Sequence, residues 1–221
     1  MHATAARDRA TAPEGRRARR KARTRRALME AALELFARHG IYDTRLEDIT
    51  EAADLGKGAF YNYFASKTDL VSALLGEAIE QLLADCRRLV ADDDHLAARV
   101  TAIVRAHDAF FARHPAFFLL IHQARGLLMR HDAREQRLAR VFKTYLDELG
   151  RLVVPAPAAP LDAGARADLA AAVIGAITGY RSFDAAAGLA LRPDTVETFV
   201  AGGTAAALQR TLKIGDLRSE I

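Results

Sequence analysis

The stretch Thr24 to Leu70 reads TRRALMEAALELFARHGIYDTRLEDITEAADLGKGAFYNYFASKTDL. Leu28, Ala31, Ala32, Leu35 and Phe36 recur at the spacing of one helical face, and Gly40 follows the last turn, where a left-handed cap wants glycine, so this helix is expected to end near His39. Thr44 with Glu47 three residues on has the form of a capping box, and Leu46, Ile49 and Ala53 form a short apolar stripe behind it, giving a second helix of about two turns. Asp54, Leu55 and Gly56 interrupt the pattern; Phe60, Tyr63 and Phe64 resume it for one more short helix. Ser66 with Asp69 forms a second capping box, opening a long helix marked by Val71, Leu74, Ala78, Leu82 and Leu89 that should fade at the acidic turn Asp92 to Asp94. Two short helices crossing steeply need a turn residue that tolerates an unusual backbone angle. Asp54 can supply one, and the small Ala52 and Ala53 allow close approach. The expected unit is a helix-turn-helix: its third helix can enter a major groove about 12 Å wide while the second lies across the backbone.

Outward from that stretch the pattern stays helical. Leu96, Val100, Ile103, His107 and Phe110 make one stripe, stopped by Pro115; Phe117, Ile121, Ala124 and Leu128 make the next, and Leu138, Phe142, Tyr145 and Leu149 a third. A Pro- and Ala-rich link from Val154 to Pro160 precedes two last helices, about Arg166 to Ala187 and Asp194 to Lys213. No credible strand pattern of alternating residues occurs, so the fold class is all-α, with nine or so helices. Residues 1 to 15 carry no apolar period and read as a disordered tail. Residues 16 to 70 then form an N-terminal three-helix helix-turn-helix DNA-binding domain. Residues 71 to 221 form a helical bundle, the part to which the resemblance stated below assigns effector binding and dimerisation.

At 221 residues and 51% hydrophobic the chain can bury a sizeable core, while 27% charged residues and a mean hydropathy of −0.03 leave no stretch long and apolar enough to span a membrane. No apolar segment follows the arginine-rich N-terminus, so a secretory signal is not supported and the expected location is cytoplasmic. The single cysteine, Cys86, excludes an internal disulfide framework and reads as a buried, inert thiol. The net charge of +4 lies entirely in the first 70 residues, where 14 Lys and Arg face 10 Asp and Glu. Arg16, Arg17, Arg19, Arg20, Lys21, Arg23, Arg25 and Arg26 form a run without an acid, suited to a polyanion because each phosphate neutralised releases condensed counterions. The bland alternative is a solvated tail, and a rival from another class is a helical adaptor or membrane-surface protein that lays this run on anionic lipid. Enzyme motifs are missing: there is no phosphate loop, HExxH, paired cysteines or nucleophile elbow, and no cofactor is expected.

The run from Thr24 to Leu70 resembles the DNA-binding domain of TetR-family regulators. The family's AA..LF...G core, threonine, IA..AGVS segment and G.LY.YF..K..L block correspond to AALELFARHG, Thr44, ITEAADLG and GAFYNYFASKTDL. The resemblance implies that Lys57 and Gly58 open the recognition helix and meet base edges. Tyr61 and Asn62 project from its next turn towards a phosphate or an adenine edge, while Thr44 and Lys67 contact phosphates. Phe60, Tyr63 and Phe64 are the packing side, with the Tyr63 hydroxyl still able to reach a phosphate. Two positions depart from the pattern. Gly56 replaces the serine that usually caps the recognition helix, and Arg45 replaces a second threonine, adding a positive charge beside the backbone.

The resemblance further implies a homodimer through the last two helices, released from a palindromic operator by a small apolar effector. Ala171, Gly175 and Gly179 recur every four residues, and Gly202, Gly203 and Ala206 add a second small-residue patch; such faces suit close helix packing, between subunits or within one. His107, Phe110, His114, Phe118, Arg125 and Tyr145 are candidate pocket residues, aromatic with a few polar groups; the same residues also describe a plain core. No motif places a third ligand beside His107 and His114, so no metal is expected.

Overall fold

The computed structural model describes residues 8–91, 95–129, 136–155, 161–188 and 192–219. The first part of the expected tail (1–7), the acidic turn Asp92 to Asp94 and residues 156–160 of the expected link lie outside the described residues. Among those described there are eight α-helices, one 3₁₀ segment and no strand: α1 (Asp8–Asp43), α2 (Leu46–Ala52), the 3₁₀ segment Lys57–Asn62, α3 (Lys67–Leu89), α4 (Leu96–Arg113), α5 (Pro115–Leu128), α6 (Gln136–Val153), α7 (Ala163–Ala187) and α8 (Pro193–Ser219). No helix among the described residues is long and apolar enough to cross a membrane.

Helix α1 starts at Asp8, inside the segment read as a tail, because Ala, Arg and Lys are strong helix formers even where no apolar stripe exists. It breaks at Gly40 (φ 84°, ψ 162°), one residue past the expected end, and a last turn runs on to Asp43. Pro115 opens α5 directly after α4, with His114 between them as the cap of both: its N–H donates to the Phe110 carbonyl (2.9 Å), and its own carbonyl accepts from the Phe117 N–H (3.0 Å).

The described chain divides into two compact units. One, here the head, holds the residues up to Leu74 together with Leu119 to Met129; the other, the body, holds Leu75 to Phe118 and the residues from Gln136 onward. The later part of α5 therefore groups with the head, whereas the sequence reading assigned everything after residue 70 to the bundle. The head core contains Leu28, Ala32, Phe36, Ile41, Ile49, Phe60, Phe64 and Leu70, all buried. The body core is built from Leu82 of α3, Ile103 and Phe110 of α4, Leu138, Tyr145 and Leu149 of α6, Ile177 of α7 and Val200 of α8. Gly150 lies where α6 meets α7 so closely that an added Cβ would stand 2.8 Å from the Arg166 carbonyl oxygen.

Candidate nucleic-acid interface

The turn after α2 is set by backbone hydrogen bonds. The Leu55 N–H donates to the Thr50 carbonyl (2.8 Å) and the Asp54 N–H to the Glu51 carbonyl (3.0 Å), the pair of bonds that closes a helix end when the residue between adopts the left-handed conformation. Asp54 does so, with φ 56°, and no other non-glycine residue described has a positive φ. The sequence expectation for Asp54 holds.

After this turn the expected recognition helix forms as a 3₁₀ segment, held by three-residue bonds from the Ala59 N–H to the Gly56 carbonyl (2.8 Å) and from the Tyr63 N–H to the Phe60 carbonyl (2.9 Å). Gly58, a poor helix former, sits inside it. Phe60 and Phe64 point into the head core with ring centroids 5.8 Å apart, and the Arg25 guanidinium lies 5.3 Å from the Phe64 ring centre. With those two rings as anchors, Lys57, Gly58, Tyr61 and Asn62 are left exposed, Tyr61 at 65%. Tyr63 is half-buried, as a packing residue should be. Asn62 and Tyr63 line an open cleft of about 440 Å³ together with Arg17, Arg20 and Lys21 of α1. The arginine run thus stands beside the recognition segment, on the helix that sequence reading started too late.

Two residues of the expected set, Thr44 and Lys67, do other work, and a third, Arg45, caps α2 through its backbone. Thr44 is 2% exposed, and its hydroxyl donates to the Gly40 carbonyl (2.7 Å), so its side chain faces inward instead of towards a phosphate. The cap of α2 is shifted by one residue from the expected Thr44 and Glu47: Arg45 is the N-cap, and its N–H donates to the Asp48 carboxylate (3.1 Å). An arginine side chain has no acceptor, so only this half of a capping box operates. The Arg45 side chain is left exposed at the start of α2. The Lys67 ammonium donates to the Tyr42 (3.1 Å) and Thr44 (2.9 Å) carbonyls, which commits two of its three N–H groups to tying α3 to the loop ahead of α2. Burial lowers its pKa, partly opposed by the Asp43 carboxylate. The expected cap of α3 forms at Ser66: the Asp69 N–H donates to the Ser66 hydroxyl (3.0 Å), while the Asp69 carboxylate accepts from the Ala65 N–H (3.0 Å).

One more contact of the head has no sequence signal. The Ile41 N–H donates to Oε1 of Gln123 on α5 (2.8 Å), across 82 residues of chain.

Of the candidate pocket residues, Arg125 lies in the head unit and the other five in the body. His107 is fully buried, with Nδ1 2.7 Å from the Ile103 carbonyl and Nε2 2.6 Å from the Tyr145 hydroxyl. Burial pushes its pKa down to about 4, against the Ile103 bond, which favours the charged ring. His107 thus spends both ring nitrogens inside the core, one on the Ile103 carbonyl and one on the Tyr145 hydroxyl. Phe110 and His114 stack at 4.8 Å, and Phe118 is buried with its ring 5.3 Å from Phe111. Cys86 is buried, and its thiol is pushed up to about 12 by that burial, with the Asp85 charge adding to it.

The segment 28–74 matches the family described as bacterial regulatory proteins, tetR family. Residues 28–74 thus have the sequence of a TetR-family DNA-binding domain. The matched segment runs from the α1 core through the recognition segment into α3, the part that carries the geometry above. The chain is 31% identical over 130 residues to the HTH-type transcriptional repressor KstR2 of Rhodococcus jostii, covering 58% of this chain and 59% of that protein. It is 32% identical over 141 residues to the HTH-type transcriptional regulator TcmR of Streptomyces glaucescens, covering 58% of this chain and 62% of that one. The matches therefore span about three fifths of these relatives' length. The fold extends further: the transcriptional regulator FadR of Bacillus subtilis, solved in complex with stearoyl-CoA, superposes with a TM-score of 0.64 at 16% identity over 80% of this chain and 96% of that one. The head therefore combines a TetR-family sequence with an outward-facing polar set on a rigidly anchored segment.

Proposed function

We propose that this chain is a TetR-family, sequence-specific DNA-binding transcriptional regulator, a cytoplasmic homodimeric repressor released from a palindromic operator by a small-molecule effector. The observation that carries the reading is the split of the recognition segment: Phe60 and Phe64 are fixed in the core while Lys57, Gly58, Tyr61 and Asn62 stay exposed beside Arg17, Arg20 and Lys21. Phosphate contacts from the basic arm supply affinity, and the four outward residues read base edges and adjoining phosphates. Arg45 adds a further phosphate contact at the start of α2; Lys67 and Thr44 support the site from within.

Dimerisation through α7 and α8 is supported by what those helices leave uncovered. Phe183 and Phe199 are 68% and 71% exposed, and a Cβ built on Gly175, Gly179, Gly202 or Gly203 meets nothing within 4 Å. Small residues packed inside one subunit would be crowded; these are open, as a face awaiting a second copy would be. A two-fold dimer presents two recognition segments about 34 to 36 Å apart, so the operator is a palindrome with half-sites one helical turn apart. An effector acts by favouring the subunit geometry in which that spacing is lost. Phe110, His114 and Phe118 of the body are the residues to replace in testing its binding, and acyl-CoA thioesters are a sensible first probe because the solved FadR holds stearoyl-CoA.

Selection of binding sites from a pool of random duplexes tests the reading. A palindromic consensus is expected, and Lys57→Ala should relax selectivity at one base position at a cost of about 1–3 kcal/mol. Tyr61→Ala should weaken every duplex alike. Equal enrichment of all sequences would sink the proposal and return the arginine run to the rival role at an anionic lipid surface.

A further inference from the structure

We propose that Gln123, far from the recognition segment in sequence, is a positioning residue for DNA reading: its side-chain amide fixes the corner from which α2 and the recognition segment depart. The inference rests on the DNA-binding reading above and names a determinant of it outside the matched segment 28–74.

Gly40 breaks α1 with a backbone conformation that L side chains rarely adopt, so the Ile41 N–H opens a new turn without the helical carbonyl it would otherwise meet. That amide is enclosed, since Ile41 is 1% exposed, and it has to find an acceptor inside the protein. Gln123 Oε1 supplies it at 2.8 Å. The amide lies over the corner: a Cβ placed on Gly40 would sit 3.7 Å from the same oxygen. On the next residue, the Tyr42 hydroxyl lies against α5 at Gly126, 3.5 Å from where a Cβ would stand. The other side of the corner is held by Lys67, through the Tyr42 and Thr44 carbonyls. Five residues, Gly40 to Thr44, are thus gripped by α3 on one side and α5 on the other, and α2 is capped at the very next residue, Arg45.

The consequence is selective. Phosphate contacts from the long, exposed side chains of the basic part of α1 tolerate a small tilt of the α2 and recognition pair, whereas base-edge bonds depend on exact placement. Loosening the corner should therefore cost operator binding more than binding to arbitrary duplex.

The test uses the full-length protein and an operator obtained by selection. Gln123→Leu removes the acceptor; Gln123→Glu keeps one. Each is titrated against the operator and against random duplex, and exchange of the Ile41 amide with solvent deuterium is followed. Gln123→Leu is expected to lower the operator-to-random affinity ratio about tenfold, as an enclosed N–H loses its partner, and to speed Ile41 exchange. Gln123→Glu is expected to keep that ratio within about threefold, since a carboxylate accepts the same bond. If Gln123→Leu fails to fold, Gln123→Ala gives the same comparison. An unchanged ratio in the folded variant, or equal losses on both duplexes, overturns the proposal. If the unaltered protein itself prefers no sequence, the DNA-binding reading is what fails. The positioning role then falls with it, while Ile41 exchange still reports whether the bond exists.

Discussion

The Ile103 carbonyl beside His107 can only accept, so Nδ1 carries the ring proton and Nε2 accepts from the Tyr145 hydroxyl. A ring so placed has both nitrogens occupied while neutral, and protonation would require the Tyr145 hydroxyl to turn its proton away within the buried core. Its pKa falls to about 4 from an ordinary value of 6.5. Between those values the unfolded chain holds a proton that the folded chain lacks, so stability is complete above pH 6.5 and declines as the pH drops towards 4, by about 3 kcal/mol in all. Urea unfolding at pH 7 and pH 4.5 checks this. The variant His107→Gln should lose distinctly less stability on acidification than the unaltered protein, and an identical acid loss in both would show that His107 does not set it. Residue type alone made His107 a candidate for a ligand pocket. Only the positions of Ile103 and Tyr145, the latter 38 residues away, reveal that its bonding capacity is already used.

Gly150 and Gly175 are both glycines within helices, yet their surroundings predict opposite outcomes for the same change. At Gly150 of α6 an alanine would press on the α7 backbone at Arg166, so Gly150→Ala should destabilise the body by roughly 1–3 kcal/mol. At Gly175 of α7 an alanine meets nothing in its own subunit and should raise helix propensity by about 0.5–1 kcal/mol, while thickening the face assigned to the partner. Thermal unfolding and sedimentation separate the two. Gly150→Ala is expected to lower the midpoint. Gly175→Ala should weaken the dimer without lowering the stability of the subunit, and tight dimerisation by that variant would move the interface elsewhere. The helix plan was legible wherever a local signal is strong: Gly40 after the first stripe, Ser66 with Asp69, and Pro115 between two helices. The register of the α2 cap was not, because Glu47 and Asp48 are neighbouring acids and the pattern cannot choose between them. The length of α1 was missed for a different reason, since propensity without periodicity leaves no stripe to read. The grouping of Gln123 with the head is a tertiary fact, visible in contacts such as its side chain on the Ile41 amide, 82 residues away in the chain.

The head's charge pattern fixes how the proposed dimer should respond to salt. Arg17, Arg20 and Lys21 are exposed, lie on one helix and border the cleft shared with Asn62 and Tyr63, so in a two-fold dimer six such cations flank the recognition segments. Cations that neutralise phosphates release about 0.9 counterion each, and the logarithm of the binding constant then falls linearly with the logarithm of salt concentration. Replacing all three by alanine should flatten that slope by about 5 if all six reach phosphates, and by proportionally less if only one in each subunit does. Because phosphate contacts carry no sequence information, the ratio of operator to random affinity should stay nearly constant in the triple variant. This is the reverse of the pattern expected for Lys57→Ala, where selectivity changes and the salt slope falls by about 2 at most. Fluorescence titrations from 50 to 300 mM salt, run on both duplexes, separate the two roles. A triple variant with an unaltered slope would place the arginine arm away from the DNA, leaving Arg45 and the recognition segment to carry the whole interface.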